Sequence, residues 1–189
     1  RANYIFNNLK HMMAKGDIRL TLPEFNGATI DAYDDTSHAP HDPAADFRVM
    51  LCTSSSTLRL ADTNNGGTLA MDVVDLDDVT TLGEISTGGY TANAAGADSI
   101  LGTLTLNAVP YSNASYVKWD AADRTFNNLN TGATISGILI FWSTALPNGS
   151  NWAVQYPLVW IDLTGSTIAT NGGDIEIVWA SDGIMRLNA

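Results

Sequence analysis

The run Ala133-Thr134-Ile135-Ser136-Gly137-Ile138-Leu139-Ile140-Phe141-Trp142-Ser143 decides the fold class. It is rich in β-branched and aromatic residues, which suit a pleated and packed surface, so it belongs at the centre of a sheet. Strand-like runs recur on both sides of it. Residues 47–53, containing Phe47-Arg48-Val49-Met50-Leu51-Cys52, read as a buried strand, and 57–60 as a short one. Residues 98–109, with Ile100, Leu101, Leu104, Leu106 and Val109, largely alternate. Further strands are expected at 115–120, 153–163, 174–179 and 184–187. In the third of these, Ile175, Ile177 and Trp179 face one way.

Gly, Asn, Asp and Pro clusters separate these segments, and eight or nine short strands with such turns predict a mainly β, antiparallel sandwich of jelly-roll type. No strand–helix–strand alternation is visible, which argues against a nucleotide-binding α/β fold. Only the N-terminal stretch departs from the pattern. Ile5, Leu9, Met12 and Met13 fall at i, i+4, i+7 and i+8, which predicts one amphipathic α-helix over 3–15 ending at Gly16. Lys10, His11 and Lys15 complement its C-terminal dipole. Residues 1–16 are therefore read as a helical arm and 17–189 as a single β domain, whose first strand alternates through Ile18, Leu20 and Leu22.

Composition narrows the partners. The chain has a formal charge of −11 with nine Lys and Arg, so it offers no basic stripe for nucleic acid and little attraction to an anionic membrane. No segment approaches the ~18 apolar residues of a spanning helix. No signal-peptide series opens the chain, and the expectation is synthesis in cytoplasm. Cys52 is the single cysteine; within its apolar run it reads as a buried, inert thiol.

Candidate chemistry is sparse. Residues 31–46 gather Asp31, Asp34, Asp35, Asp42 and Asp46 with His38 and His41. Their spacing matches neither the twelve-residue calcium loop nor a zinc set, and they read as a solvated polar loop, with calcium binding left open. The stretch 72–79, with Asp72, Asp75, Asp77 and Asp78, reads as an edge strand whose Val74, Leu76 and Val79 turn inward while Asp75 and Asp77 face water. The three histidines, His11, His38 and His41, have no nucleophile elbow to serve, and the Gly-rich pieces 88–90 and 172–174 read as turns rather than phosphate cradles. No catalytic, cofactor or metal residue is assigned, and no enzymatic activity is expected. Trp142, Trp160 and Trp179 read as core residues; Trp152, beside the turn 147–151, is the candidate for an exposed aromatic contact.

Taken in order, several segments resemble a family. They are the helix ending in Lys15-Gly16-Asp17-Ile18, the strand Phe47-Arg48-Val49-Met50-Leu51 and the turn Gly88-Gly89-Tyr90-Thr91. Val117-Lys118-Trp119 and Ile135-Ser136-Gly137-Ile138-Leu139-Ile140-Phe141 follow. Pro157-Leu158-Val159-Trp160-Ile161-Asp162 and the stretch from Thr170 to Trp179 complete the series. This series resembles a group of small tailed-bacteriophage virion structural proteins, and it spans most of the chain outside the acidic loop. The resemblance implies a non-enzymatic particle component, above all a capsid decoration or cement protein of the phage head. Such a protein binds the major capsid protein as a homo-oligomer, with a trimer favoured. On that reading Tyr4, Ile5, Leu9, Met12, Met13 and Trp152 are the partner-binding candidates. The alternative is a tail or fibre component that binds a host receptor or glycan.

Overall fold

The computed structural model describes residues 3–7, 9–10, 46–59, 69–101, 105–108, 116–143, 147–181 and 183–188. The expected helix residues 11–16 and strand 18–22, and the loops 31–45 and 61–68, lie outside them. Eleven strands stand among the described residues. In chain order the first six are β1 (Tyr4–Ile5), β2 (Asp46–Cys52), β3 (Thr105–Ala108), β4 (Tyr116–Asp120), β5 (Arg124–Phe126) and β6 (Thr134–Ile135). The remaining five are β7 (Gly137–Ser143), β8 (Gln155–Asp162), β9 (Ile168–Ala169), β10 (Ile175–Ile177) and β11 (Met185–Asn188). Every pairing is antiparallel: a four-stranded sheet β1-β8-β7-β2, a three-stranded sheet β11-β4-β3, and the pairs β10-β5 and β6-β9.

The four-stranded sheet is covered on both faces, which is why the 133–143 run is apolar without alternation. One row across it reads Tyr4, Trp160, Leu139, Met50, and the next reads Ile5, Val159, Ile140, Val49. The second row joins a core with Leu51, Ile138 and Leu158, against which Trp119 of β4, Phe126 of β5, Ile135 of β6, Ile175 and Ile177 of β10 and Met185 of β11 pack. The first row joins a separate core with Cys52, Phe141, Phe6 and Leu58, closed by Ala70, Val73, Leu76 and Val79. Each fully buried Val, Leu, Ile, Phe or Met among them contributes about 1.5–3 kcal/mol of transfer free energy.

Two local irregularities follow from sequence. The β7–β8 register shifts between Ile140 and Phe141, so that Pro157 sits opposite Phe141 and Leu158 is the extra residue of a bulge. A bulge is where a proline, which has no N–H to give a ladder, is tolerated inside a sheet. It also directs both Leu158 and Val159 into the same core. Gly137 has no side chain because the Trp160 ring occupies that space: a Cβ there would stand 2.2 Å from Trp160 Cζ2.

Four expectations are corrected. Tyr4 and Ile5 are not helical but form the edge strand β1, because the exposed edge of β8 supplies backbone partners and Tyr4 and Phe6 fill the core beneath it. Asn7, Leu9 and Lys10 turn helically, and no regular α-helix stands among the described residues. Residues 72–79 are not an edge strand. They make two short 3₁₀ turns, Ala70–Asp72 and Leu76–Asp78, the second capped by the Asp75 carboxylate, which accepts from Asp77 N–H at 3.0 Å and Asp78 N–H at 3.3 Å. An aspartate placed to cap competes with strand pairing. The turn leaves Val74 exposed while Val73 takes the buried place. Residues 57–59 likewise form a turn rather than a strand, with Thr57 N–H on Thr81 O at 2.9 Å. The 98–109 stretch divides into a 3₁₀ turn, Ala97–Ser99, and β3.

Candidate functional site

The residues singled out from sequence do not converge. Tyr4 and Leu9 are buried in this chain, Ile5 is partly buried against the first core, and Trp152, in the short turn Trp152–Val154, packs partly against the second. Met12, Met13 and all three histidines lie outside the described residues. The Tyr4 hydroxyl donates to Leu58 O, and burial pushes its acidity far below that of an ordinary tyrosine. Asn3 Oδ1 accepts from Asp162 N–H at 3.0 Å, Phe6 N–H donates to Leu158 O at 3.0 Å, and Asn7 Nδ2 donates to Asp72 Oδ1 at 2.6 Å. Residues 3–7 are thus bonded to the body.

Among the described residues, the densest polar constellation lies on the other edge of the same sheet. The outer edge of β2 is covered by residues 83–101: Thr53 N–H bonds Gly83 O at 2.7 Å, Ile85 N–H bonds Leu51 O at 2.9 Å, and Leu101 N–H bonds Phe47 O at 2.7 Å. Within this cover Glu84 accepts from the Tyr90 hydroxyl at 2.9 Å, Asn93 N–H at 2.8 Å and Ala94 N–H at 2.7 Å. Asn93 and Ala94 have φ of 64° and 49°. Two successive left-handed residues point their N–H groups into one concavity, the geometry that binds anions, and here the chain's own carboxylate fills it. Tyr90 is held in turn by Leu51 N–H at 3.4 Å.

Two arginines grip the same loop from its carbonyl side. Arg48, buried at 2% exposure on β2, donates to Ala94 O at 2.9 Å and Gly96 O at 3.5 Å. Arg124 on β5 donates to Ala97 O at 2.7 Å and to Asp98 O at 3.4 Å. The small residues of Ala92-Asn93-Ala94-Ala95-Gly96-Ala97 bury little apolar surface, so charge-assisted bonds to its backbone do the work of packing. Sequence reasoning missed Glu84, Tyr90 and Arg124. Arg48 carried the one visible signal, as a charge inside an apolar run.

The arrangement has structural chemistry. All three donors to Glu84 come from this chain, and Cys52, wholly buried, has its thiol pushed far up by burial and by Glu84, which removes the thiolate a nucleophile needs. Among the described residues no group of three or more His, Cys, Asp or Glu is placed to hold a metal ion, and no helix is long and apolar enough to cross a membrane.

Burial raises the Glu84 carboxyl above its ordinary value, and its three hydrogen bonds lower it only in part. A raised carboxyl pKa contributes stability that is fully present below the unfolded value of about 4.3 and is lost as pH rises through the folded value. Urea midpoints of the native chain should therefore rise relative to those of Glu84→Gln as pH falls from about 7 to about 4. A pH-independent gap between the two would show that this carboxyl titrates as in water.

Comparison with protein-family profiles, with curated proteins and with solved structures finds no match.

Proposed function

We propose that this chain is a non-enzymatic structural component of a tailed-phage virion, a capsid decoration or cement protein of the head. It would bind the major capsid protein as a homo-oligomer, with a trimer as the favoured form. The order of segments that resembles small virion proteins supports this reading. So does the closure of the densest polar constellation on the chain itself, where Glu84, Arg48 and Arg124 hold a backbone loop. That closure is the observation that carries it, because it spends the buried charges on rigidity. The packing of β4, β5, β6, β10 and β11 against one face of the four-stranded sheet suits a sandwich, and a jelly-roll arrangement is part of the proposal.

The test is co-sedimentation of the intact chain with mature capsids stripped of accessory proteins. Saturable binding in a fixed ratio to the major capsid protein is expected; no binding at micromolar protein would reject decoration. Truncation of the N-terminal arm is a poor control here, since Tyr4, Phe6 and Leu9 are core residues.

One observation favours the tail or fibre reading. Trp142 and Tyr156, cross-strand partners on β7 and β8, are both half-buried with ring centroids 5.6 Å apart, an aromatic surface of the kind sugars stack on. Binding of the intact chain to host-surface glycans, lost in Trp142→Ala, would move the proposal from head to tail.

A further inference from the structure

Asn-Gly dipeptides occur at 26–27, 65–66, 148–149 and 171–172. The last two lie in exposed turns among the described residues, and their surroundings differ. At the first of these turns Asn148 Oδ1 accepts two hydrogen bonds, from Ser150 N–H at 3.0 Å and from Ser150 Oγ at 2.8 Å. Asn148 N–H donates to Asn151 Oδ1 at 3.2 Å, which fixes the residue in the turn. Gly149 has φ of 80°, and its N–H has no hydrogen-bond acceptor among the described residues. At the second turn Asn171 Oδ1 accepts one bond, from Gly173 N–H at 3.0 Å, while Gly172 N–H is engaged by Leu129 O at 2.8 Å.

We propose that Asn148 is a self-modification site, at which the Gly149 backbone nitrogen displaces the Asn148 side-chain amide while Ser150 polarises the reacting carbonyl. Hydroxide removes the Gly149 amide proton, and the nitrogen's electron pair attacks Asn148 Cγ. A new N–Cγ bond forms, and charge develops on Oδ1, where the Ser150 N–H and hydroxyl already point. Donors aimed at a developing oxyanion lower a barrier more than they stabilise the ground state. Collapse breaks Cγ–Nδ2 as the leaving nitrogen takes a proton from the water formed in the first step, which releases ammonia and regenerates hydroxide. One water then opens the cyclic imide at either carbonyl, leaving aspartate or isoaspartate at position 148. No oxidant, metal or second protein is required. Asn171 is held back, because the attacking nitrogen of Gly172 must first give up its bond to Leu129 O. Each event adds one negative charge beside the Trp152 turn that packs on the second core.

The experiment incubates the intact folded chain at mildly alkaline pH. It follows both positions by peptide mapping with fragmentation that distinguishes isoaspartate from aspartate. Conversion at Asn148 should run about tenfold faster than at Asn171, the factor one hydrogen bond corresponds to, and should yield both acid isomers. In the chain unfolded by urea the two rates should become equal, since the local sequence is the same Asn-Gly. Ser150→Ala should slow Asn148 several-fold and leave Asn171 unchanged, which also controls for loss of fold. Equal rates in the folded chain, a faster Asn171, or an Asn148 that reacts more slowly folded than unfolded would each overturn the proposal.

Discussion

Gly137→Ala should lower the stability of the folded chain by about 3 kcal/mol, because overpacking a site with no room forces backbone or ring movement. The added Cβ would lie 2.2 Å from Cζ2 and 2.4 Å from Cη2 of Trp160, distances no real contact shows. The Trp160 ring cannot step aside: it is 1% exposed and lies in one row with Tyr4, Leu139 and Met50 across all four strands. Total stabilities of such domains run to about 5–15 kcal/mol, so this one methyl group removes a large share. Equilibrium urea unfolding followed by tryptophan fluorescence measures it. The cause is separable from strand propensity by a double-mutant cycle. Trp160→Phe alone costs buried area but no hydrogen bond to the described residues, since the indole N–H has no acceptor among them. Combined with Gly137→Ala, the shorter ring should restore part of the loss, giving a coupling of about 1 kcal/mol or more. Additive effects, or a cost for Gly137→Ala below about 0.5 kcal/mol, would mean that the ring does not occupy that space.

The second large effect lies beside Tyr4, at the β1 end of that row. Phe6→Ala should cost about 3–5 kcal/mol, the usual range for emptying a fully buried aromatic site. Phe6 is 0% exposed, packs with its ring tilted 57° against Tyr4 at a centroid distance of 5.0 Å, and follows directly on the two residues that close the β8 edge. Removing residues 1–10 altogether takes away that ring, the buried Leu9 and the backbone partner of Leu158 O. It also leaves an open strand edge above the second core, which favours association between chains. Thermal unfolding and light scattering should show a lower midpoint for Phe6→Ala and self-association for the truncation. A separable surface arm would give the opposite result, with both variants melting like the parent and remaining dispersed.

These two sites also show what the sequence could convey. The strands β2, β7 and β8 were legible because apolar and β-branched residues stand consecutively where a sheet is covered on both faces. Ile175 and Ile177 were legible because alternation marks a strand with one buried face. Tyr4 and Ile5 were not, since the helical spacing of Ile5, Leu9, Met12 and Met13 is a local signal and the edge of β8, over 150 residues away, outweighs it at the first two positions. The aspartates of 72–79 misled for a different reason. Val74 and Leu76 alternate like a strand, but Asp75 captures two backbone N–H groups and closes a turn.

The polar constellation was hidden by distance along the chain. Arg48, Glu84 and Arg124 come from separate segments, and their shared object is a loop backbone, which has no residue-type signature. Only a lone arginine in an apolar strand hinted that something polar lay against β2. Once the loop is in view its composition makes sense. Alanine and glycine let carbonyls and amides approach charged groups closely, and left-handed Asn93 and Ala94 aim two of those amides at one carboxylate. This loop, held by charged side chains as well as by the packing of buried Ala94, ties the β2 edge shut.

Electron cryomicroscopy of the tailed-phage virion proposed to carry this protein tests that role most directly. The proposal predicts density for this β domain on the outer head surface, repeated with the capsid lattice in a fixed ratio to the major capsid protein and grouped as symmetric oligomers. Density confined to the tail or its fibres, or a head lattice fully accounted for without this chain, would contradict it.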